Sequence, residues 1–479
     1  MLSAGMNVRR AFLFPALASM SIAAEPSWPQ FRGVNCQGIA AEGEKPPVMF
    51  GPDKNCLWKT PVPPGISSPC VWGDRIFLTA AENDKLLLLG IERKTGRILW
   101  RHEVAAPKQA SLHKTNSPAA ATPATDGRRV YAYQAAFGLV ACNFDGKEIW
   151  RRPLEAPFVV NGSGTSPVLM GGKLILACDQ QGGKSYLLAV NPDNGEPVWT
   201  TPRLQAVSGY TTPVLWRRGS KDEIIVSGSL VATAYGLADG AEHWSVSGLE
   251  GVSVCPSPVV GDGRLFLMSR SFGGNMPSAA ASAAGILLAD GDRDGKLSRK
   301  EASFLQRDGA FDFVDRNADG FVTPDEMKQA GDWIRGGDFG LFAIKDPGDA
   351  SGVLETSLTA WKHKSGIAKV ASPLLTNNRL YVVQDGGLVT CTDALTGRLV
   401  FERERLSPDG GGDYFASPVL ADGRIYLAST RGVITVIEAS DKLKILTQNK
   451  LNDPISATPA IADSKLYVRT AGALWAFGE

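Results

Sequence analysis

The sequence predicts an all-β fold: an eight-bladed β-propeller of four-stranded blades closed by an N-terminal strand, with one small α-helical insertion. Three landmarks carry the prediction. Ser/Thr-Pro openings stand at Ser68-Pro69, Thr122-Pro123, Ser166-Pro167, Thr212-Pro213, Ser257-Pro258, Ser372-Pro373, Ser417-Pro418 and Thr458-Pro459. Behind each lies an alternating strand, such as DRIFLTA or RIYLAST, and then a second, such as GLVACNF or GLVTCTD. A Gly-x-x-x-aromatic element follows at Gly96/Trp100, Gly146/Trp150, Gly195/Trp199, Gly240/Trp244 and Gly397/Phe401. Short β-branched and aromatic runs bounded by Gly, Asp or Asn read as half-buried strands. One such unit cannot bury its own faces, and fixed-period repetition marks a solenoid or a propeller.

In chain order, residues 1–24 read as an export leader. Arg9 and Arg10 precede the apolar run AFLFPALASMSIAA, with Ser21 and Ala23 as a small-x-small cleavage pattern. The run is too short to span a membrane and contains Pro15. Sec and twin-arginine routes both fit RRAFLF, and a periplasmic or secreted location is expected. Residues 25–53 read as irregular, punctuated by Trp, Gly and Pro. Residues 54–271 hold a closing strand around Trp58 and the blades as far as the first half of blade 5. Residues 272–339 are the insertion, and residues 340–479 complete blades 5 to 8.

The counting fixes the closure. Spacings between the opening prolines are 54, 44, 46, 45, 115, 45 and 41, so one interval alone departs from the period. The fifth copy keeps Trp361 without its glycine, the seventh is degenerate around Leu446, and the eighth stops at Glu479 before reaching the aromatic. Trp58 is the missing eighth aromatic, so its strand completes the last sheet and removes an open edge. Rings at this position are expected to fill the gaps between blades, each burying about 150–250 Å². A sandwich of unrelated strands does not account for three landmarks in register.

The repeats TDALTGRLVF, GIERKTGRILW and NPDNGEPVWTTP resemble PQQ-type (quinoprotein-type) propeller repeats. With WPQFRG, CLWKTPVP and SSPCVWGDRIFLTA, the chain resembles exported bacterial PQQ-binding-like β-propeller repeat proteins over nearly its whole length outside the insertion. The resemblance implies the propeller fold. It also raises PQQ as a cofactor of an alcohol- or sugar-oxidising quinoprotein dehydrogenase, but the adjacent-cysteine pair of those enzymes is absent here. Outer-membrane assembly propellers of the same repeat type act as scaffolds, which implies a binding protein instead.

Two twelve-residue windows in the insertion match the EF-hand pattern. The first supplies Asp290, Asp292, Asp294, Lys296, Ser298 and Glu301, and the second Asp315, Asn317, Asp319, Phe321, Thr323 and Glu326. Calcium takes six to eight hard oxygen ligands, which alternate positions of a tight loop bring to one point. Gly295 and Gly320 allow the turn, Lys296 and Phe321 would offer backbone carbonyls, and Glu301 and Glu326 would bind through both oxygens. The loops start 25 residues apart, with Ala302–Val314 between them, so a broken or shared helix around Gly309 is expected. Calcium is therefore the expected ligand.

A second-to-third connection shares a propeller face with the blade-to-blade connections. That face should carry His113, Lys114, Asn116, Asn161, Asp413 and Tyr414 beside the insertion, and a protein or carbohydrate partner is expected there. The formal charge is +1 and becomes −1 without Arg9 and Arg10, so nucleic acid and anionic membranes are not expected partners. A monomer is expected. Seven scattered cysteines read mainly as small apolar strand residues, with a Cys36–Cys56 bridge as the alternative. No nucleophile elbow, zincin motif or P-loop is present, and the four histidines (His102, His113, His243 and His363) sit on different repeats.

Overall fold

A computed structural model describes residues 25–479 except 106–111, 160, 182, 204–205, 207–208, 230, 248, 250–253, 271–287, 306–310, 312–313, 316, 318, 329, 331–338, 355–357 and 410. The expected leader, the junction at Ser271 and the expected helix around Gly309 lie outside the described residues. No helix among the described residues is long and apolar enough to cross a membrane.

Eight antiparallel sheets stand in a ring as eight blades. Blade 1 runs outward through Cys70–Trp72, Arg75–Glu82, Lys85–Glu92 and Ile98–Ala105. In blade 5, Arg264–Ser269 pairs directly with Gly340–Lys345, so the insertion leaves the sheet order intact. Blade 8 takes its outermost strand from the other end of the chain: Cys56–Pro61 pairs antiparallel with Ala473–Phe477, placing Trp58 opposite Ala476. This is the expected closure.

The Ser/Thr-Pro landmark proves to be a continuous ring. The N–H of Ser68 donates to the Thr122 hydroxyl, Thr122 to Ser166, Ser166 to Thr212, and so on through Ser257, Ser372, Ser417 and Thr458, whose N–H returns to Ser68. The eight bonds measure 2.9–3.3 Å. Proline removes a donor that the crowded axis could not satisfy and holds the preceding residue extended. That residue's own N–H then needs an acceptor, and the next blade's hydroxyl supplies it.

The aromatic landmark does more than fill gaps, because five of the rings sit on the turn glycine of the following blade. Trp58 covers Gly96, Trp100 covers Gly146, Trp150 covers Gly195, Trp199 covers Gly240 and Trp361 covers Gly397. Four of these indoles also donate to a carbonyl of that same turn: Trp58 to Arg93, Trp100 to Phe144, Trp150 to Pro192 and Trp361 to Ala394. Trp244 faces blade 5, which lacks this glycine. It is fully buried, donates to Glu223 at 3.3 Å and packs edge-on against Trp216. There Gly352–Leu354 adds a fifth, parallel strand to blade 4.

The segment read as irregular is an axial plug. Trp28 pairs with Val71 of blade 1. Pro29 then accepts from Thr125, Gln30 from Leu169, Asn35 from Leu215, Gln37 from Val260 and Gly38 from Leu420, in blades 2, 3, 4, 5 and 7. The fully buried Arg32 donates to the Pro373 carbonyl of blade 6 at 2.5 Å. In blades 1 to 5 and 7 the contacted residue lies three positions beyond the ring hydroxyl, and in blade 6 Pro373 lies one beyond it, so the segment closes the channel below the ring. All seven cysteines are free, so Cys36 and Cys56 are not bridged. Cys36 is buried in the plug, and that burial pushes its thiol up to about 12.

Candidate functional site

Both acidic loops of the insertion fold into the same hydrogen-bond pattern. In the first, Asp290 accepts from the N–H groups of Asp294 and Gly295, Asp292 from Asp294, and Asp294 from Lys296. Asp315, Asn317 and Asp319 repeat this toward Asp319, Gly320 and Phe321. Glu301 reaches back to Ser298 through its N–H and its hydroxyl, as Glu326 does to Thr323. Gly295 and Gly320 have φ of +86° and +87° with open space around them, so they serve the turn alone.

Despite the short spacer, the loops pair. Leu297 lies opposite Val322 and Ser298 opposite Phe321 in a two-stranded antiparallel sheet. Leu297, Ala302, Phe311 and Val322 form a small separate core. Among the described residues the helical content here is short: 288–289, 311, 314, 324–328 and 330, with the 3-10 turn Ser303–Leu305. Ligand atoms of Asp290, Asp292 and Asp294 lie within 4.8 Å of one another. Hydrogen bonds from Ser298 hold the Glu301 carboxyl down to about 2. Asp315 is raised, first by burial and then by Asp319 and Glu326.

A second site lies on the axis. Above the plug a cavity of about 720 Å³ opens, its base ringed by the eight hydroxyls with Phe31 of the plug also lining it. The residue two positions before every Ser/Thr-Pro opening lines the wall, from Ile66 in blade 1 to Ser456 in blade 8, with aromatics at Tyr210 and Phe415. The pattern was present in the sequence, but these positions vary too much to show as a landmark.

The structure brings His113, Asn116, Asn161 and Asp413 into this one cup, whereas Lys114 and Tyr414 are not among its lining residues. Asn116 donates to the Asn161 carbonyl at 2.7 Å and Asn161 to the Tyr210 hydroxyl at 3.3 Å, joining three blade connections. Tyr414 is buried, and burial raises its phenol to about 12. Arg270 and Lys369, absent from the sequence-based list, also line the cup. Arg270 is the last described residue before the insertion. The other three histidines are engaged in the blades: His102 with Glu148, His243 with Glu223 and His363 with the Gly397 carbonyl.

Comparison with known proteins matches both parts. The family model described as outer membrane protein assembly factor BamB covers residues 51–212 and 353–441, and an EF-hand model covers residues 307–330. Quinoprotein alcohol dehydrogenase PedH of Pseudomonas putida is 27% identical over 135 residues, which is 26% of this chain. That match spans 21% of the length of PedH. BamB from Moraxella catarrhalis superposes with a TM-score of 0.51 at 13% identity, over 88% of this chain and 100% of that one. A europium-containing methanol dehydrogenase gives 0.59 at 10% identity, over 95% and 98%. At these identities the structural likeness concerns the fold.

Proposed function

The chain belongs to the outer membrane protein assembly factor BamB family of PQQ-like repeat propellers, and on that premise we propose that it is an exported, calcium-binding scaffold. Its partner, a protein or a carbohydrate, would dock on the face that carries the cup and the insertion. The observation that carries the calcium part is the repetition of one hydrogen-bond pattern in two loops joined through their eighth residues.

The donor set suits a hard cation. Asp290, Asp292, Asp294, Ser298, Glu301 and the Lys296 carbonyl would hold one ion. Asp315, Asn317, Asp319, Thr323, Glu326 and the Phe321 carbonyl would hold the other, every donor being oxygen. Bound calcium would offset the repulsion among carboxylates gathered at one point. In a calorimetric titration the full chain is expected to take up two calcium ions with Kd on the order of 0.1–1 mM, as in extracellular modules. Glu301→Gln and Glu326→Gln should each abolish one of the two. Absence of heat in the unaltered chain, or full heat in the doubly substituted one, would overturn the assignment.

A second reading, a quinoprotein dehydrogenase, draws on the axial cup and the partial similarity to PedH. The lining fits it poorly. Among the described lining residues Asp413 is the one carboxylate, against the cations Arg270 and Lys369, which is a weak donor set for a metal beside a quinone. His113 is the single histidine in the cup, and its Nδ1 is engaged with Thr115. Binding without redox chemistry is the reading these side chains support.

A further inference from the structure

We propose that the axial cup binds the terminal residue of an acidic saccharide, with a uronate carboxylate directed to Arg270. The proposal rests on the reading of the cup-bearing face as the binding face and names its ligand. Four features of the cup lead to it.

The first is hydrogen-bonding demand. Each of the eight ring hydroxyls is at most 3% exposed and already accepts one backbone N–H. Among the described residues none of their O–H groups donates a hydrogen bond to a protein acceptor, and all eight residues line the cup. A buried donor left unspent is costly, so the contents of the cup must supply acceptor oxygens. A sugar brings ring, hydroxyl and carboxylate oxygens around its whole perimeter.

The second is charge. Lys369 is already paired with Asp385 at 2.7 Å, whereas no ion pair is formed by Arg270 among the described residues. A guanidinium accepts a carboxylate through two parallel bonds, a geometry an ammonium cannot match. The third is apolar surface: the aromatic residues Phe31, Tyr210 and Phe415 line the cup, and aromatic rings pack against the C–H faces of a pyranose. The fourth is shape. The plug makes the cup blind, so it admits the end of a chain and not its middle, and about 720 Å³ lies within the usual range for small-ligand pockets. A peptide terminus meets the charge requirement but fits the hydrogen-bonding one less well, because its N–H groups can only donate where the ring already supplies donors.

The test uses the calcium-loaded full chain and calorimetry with three probes: a glucuronate-terminated disaccharide, its glucose-terminated counterpart and a tetrapeptide with a free C-terminal carboxylate. The acidic sugar should bind at least about tenfold more tightly than the neutral one. Arg270→Gln, an exposed position where folding is readily checked by circular dichroism, should remove that difference and leave the neutral sugar unchanged. Equal affinities for the two sugars, no binding of the acidic one, tighter binding of the peptide, or an unaffected Arg270→Gln variant would each overturn the proposal. Calcium uptake is read in its own titration, so failure of the loops and failure of the cup are told apart.

Discussion

A chain shortened to residues 62–479 is expected to lose its cooperative thermal transition and to associate. It lacks both the plug and the closing strand, which tie the first and last blades together. Without Cys56–Pro61, the strand Ala473–Phe477 becomes an edge, and every residue of it is buried in the intact fold. Unpaired edges of this kind template association. The blade 8 to blade 1 seam also loses Trp58 from Gly96, and blades 7 and 8 lose Phe50, which donates to Asn449 and packs against Phe477 at 4.8 Å between centroids. Removing a buried aromatic costs about 3–5 kcal/mol. Trp28 and Phe50, both buried, together therefore approach the whole stability of a typical domain, about 5–15 kcal/mol. The far-UV melt and light scattering check this; an unchanged, sharp transition would mean that the ring holds without its clasp.

The glycines beneath the indoles allow a controlled comparison. Gly146 and Gly172 have similar backbones, with φ of +82° and +73°. A Cβ at Gly172 meets nothing within 4 Å, while one at Gly146 would lie 2.6 Å from Trp100. Gly172→Ala should therefore cost only the left-handed backbone penalty, about 1–2 kcal/mol. Gly146→Ala should cost that plus about 1–3 kcal/mol for displacing the ring from its seat. Chemical denaturation of both variants measures the difference. Equal losses would show that the indole does not depend on close approach to the next blade.

How much of this was legible in the sequence depended on whether an interaction repeats. Ser/Thr-Pro and Gly-x-x-x-Trp recur because every blade meets its neighbour in the same way, so counting them gave eight blades and the closure by Trp58. Their mechanism was not legible, because the partner of Ser68 is Thr122 and that of Trp100 is Gly146, each a full repeat away. The plug was opaque for a stronger reason: consecutive residues of WPQFRGVNCQG bond to different blades, which leaves no periodicity. The EF-hand loops were plain because their ligands are local in sequence. Arg270, Lys369, Tyr210 and Phe415 were missed because the cup gathers them from separate connections, and nothing in any one stretch marks them as neighbours.

The same distinction separates structure from function along the chain. The repeat specifies how blades dock, and the wall positions two residues ahead of each opening are free to vary without disturbing the ring. Ligand choice can therefore change at the wall while the ring and the indole seats persist. The central claim is that this chain uses the propeller for binding and not for quinone redox chemistry. Incubating the purified protein with PQQ and calcium, desalting it and recording its absorbance tests that claim most directly. The account predicts that no quinone absorbance stays with the protein; a stoichiometric retained quinone spectrum would contradict it.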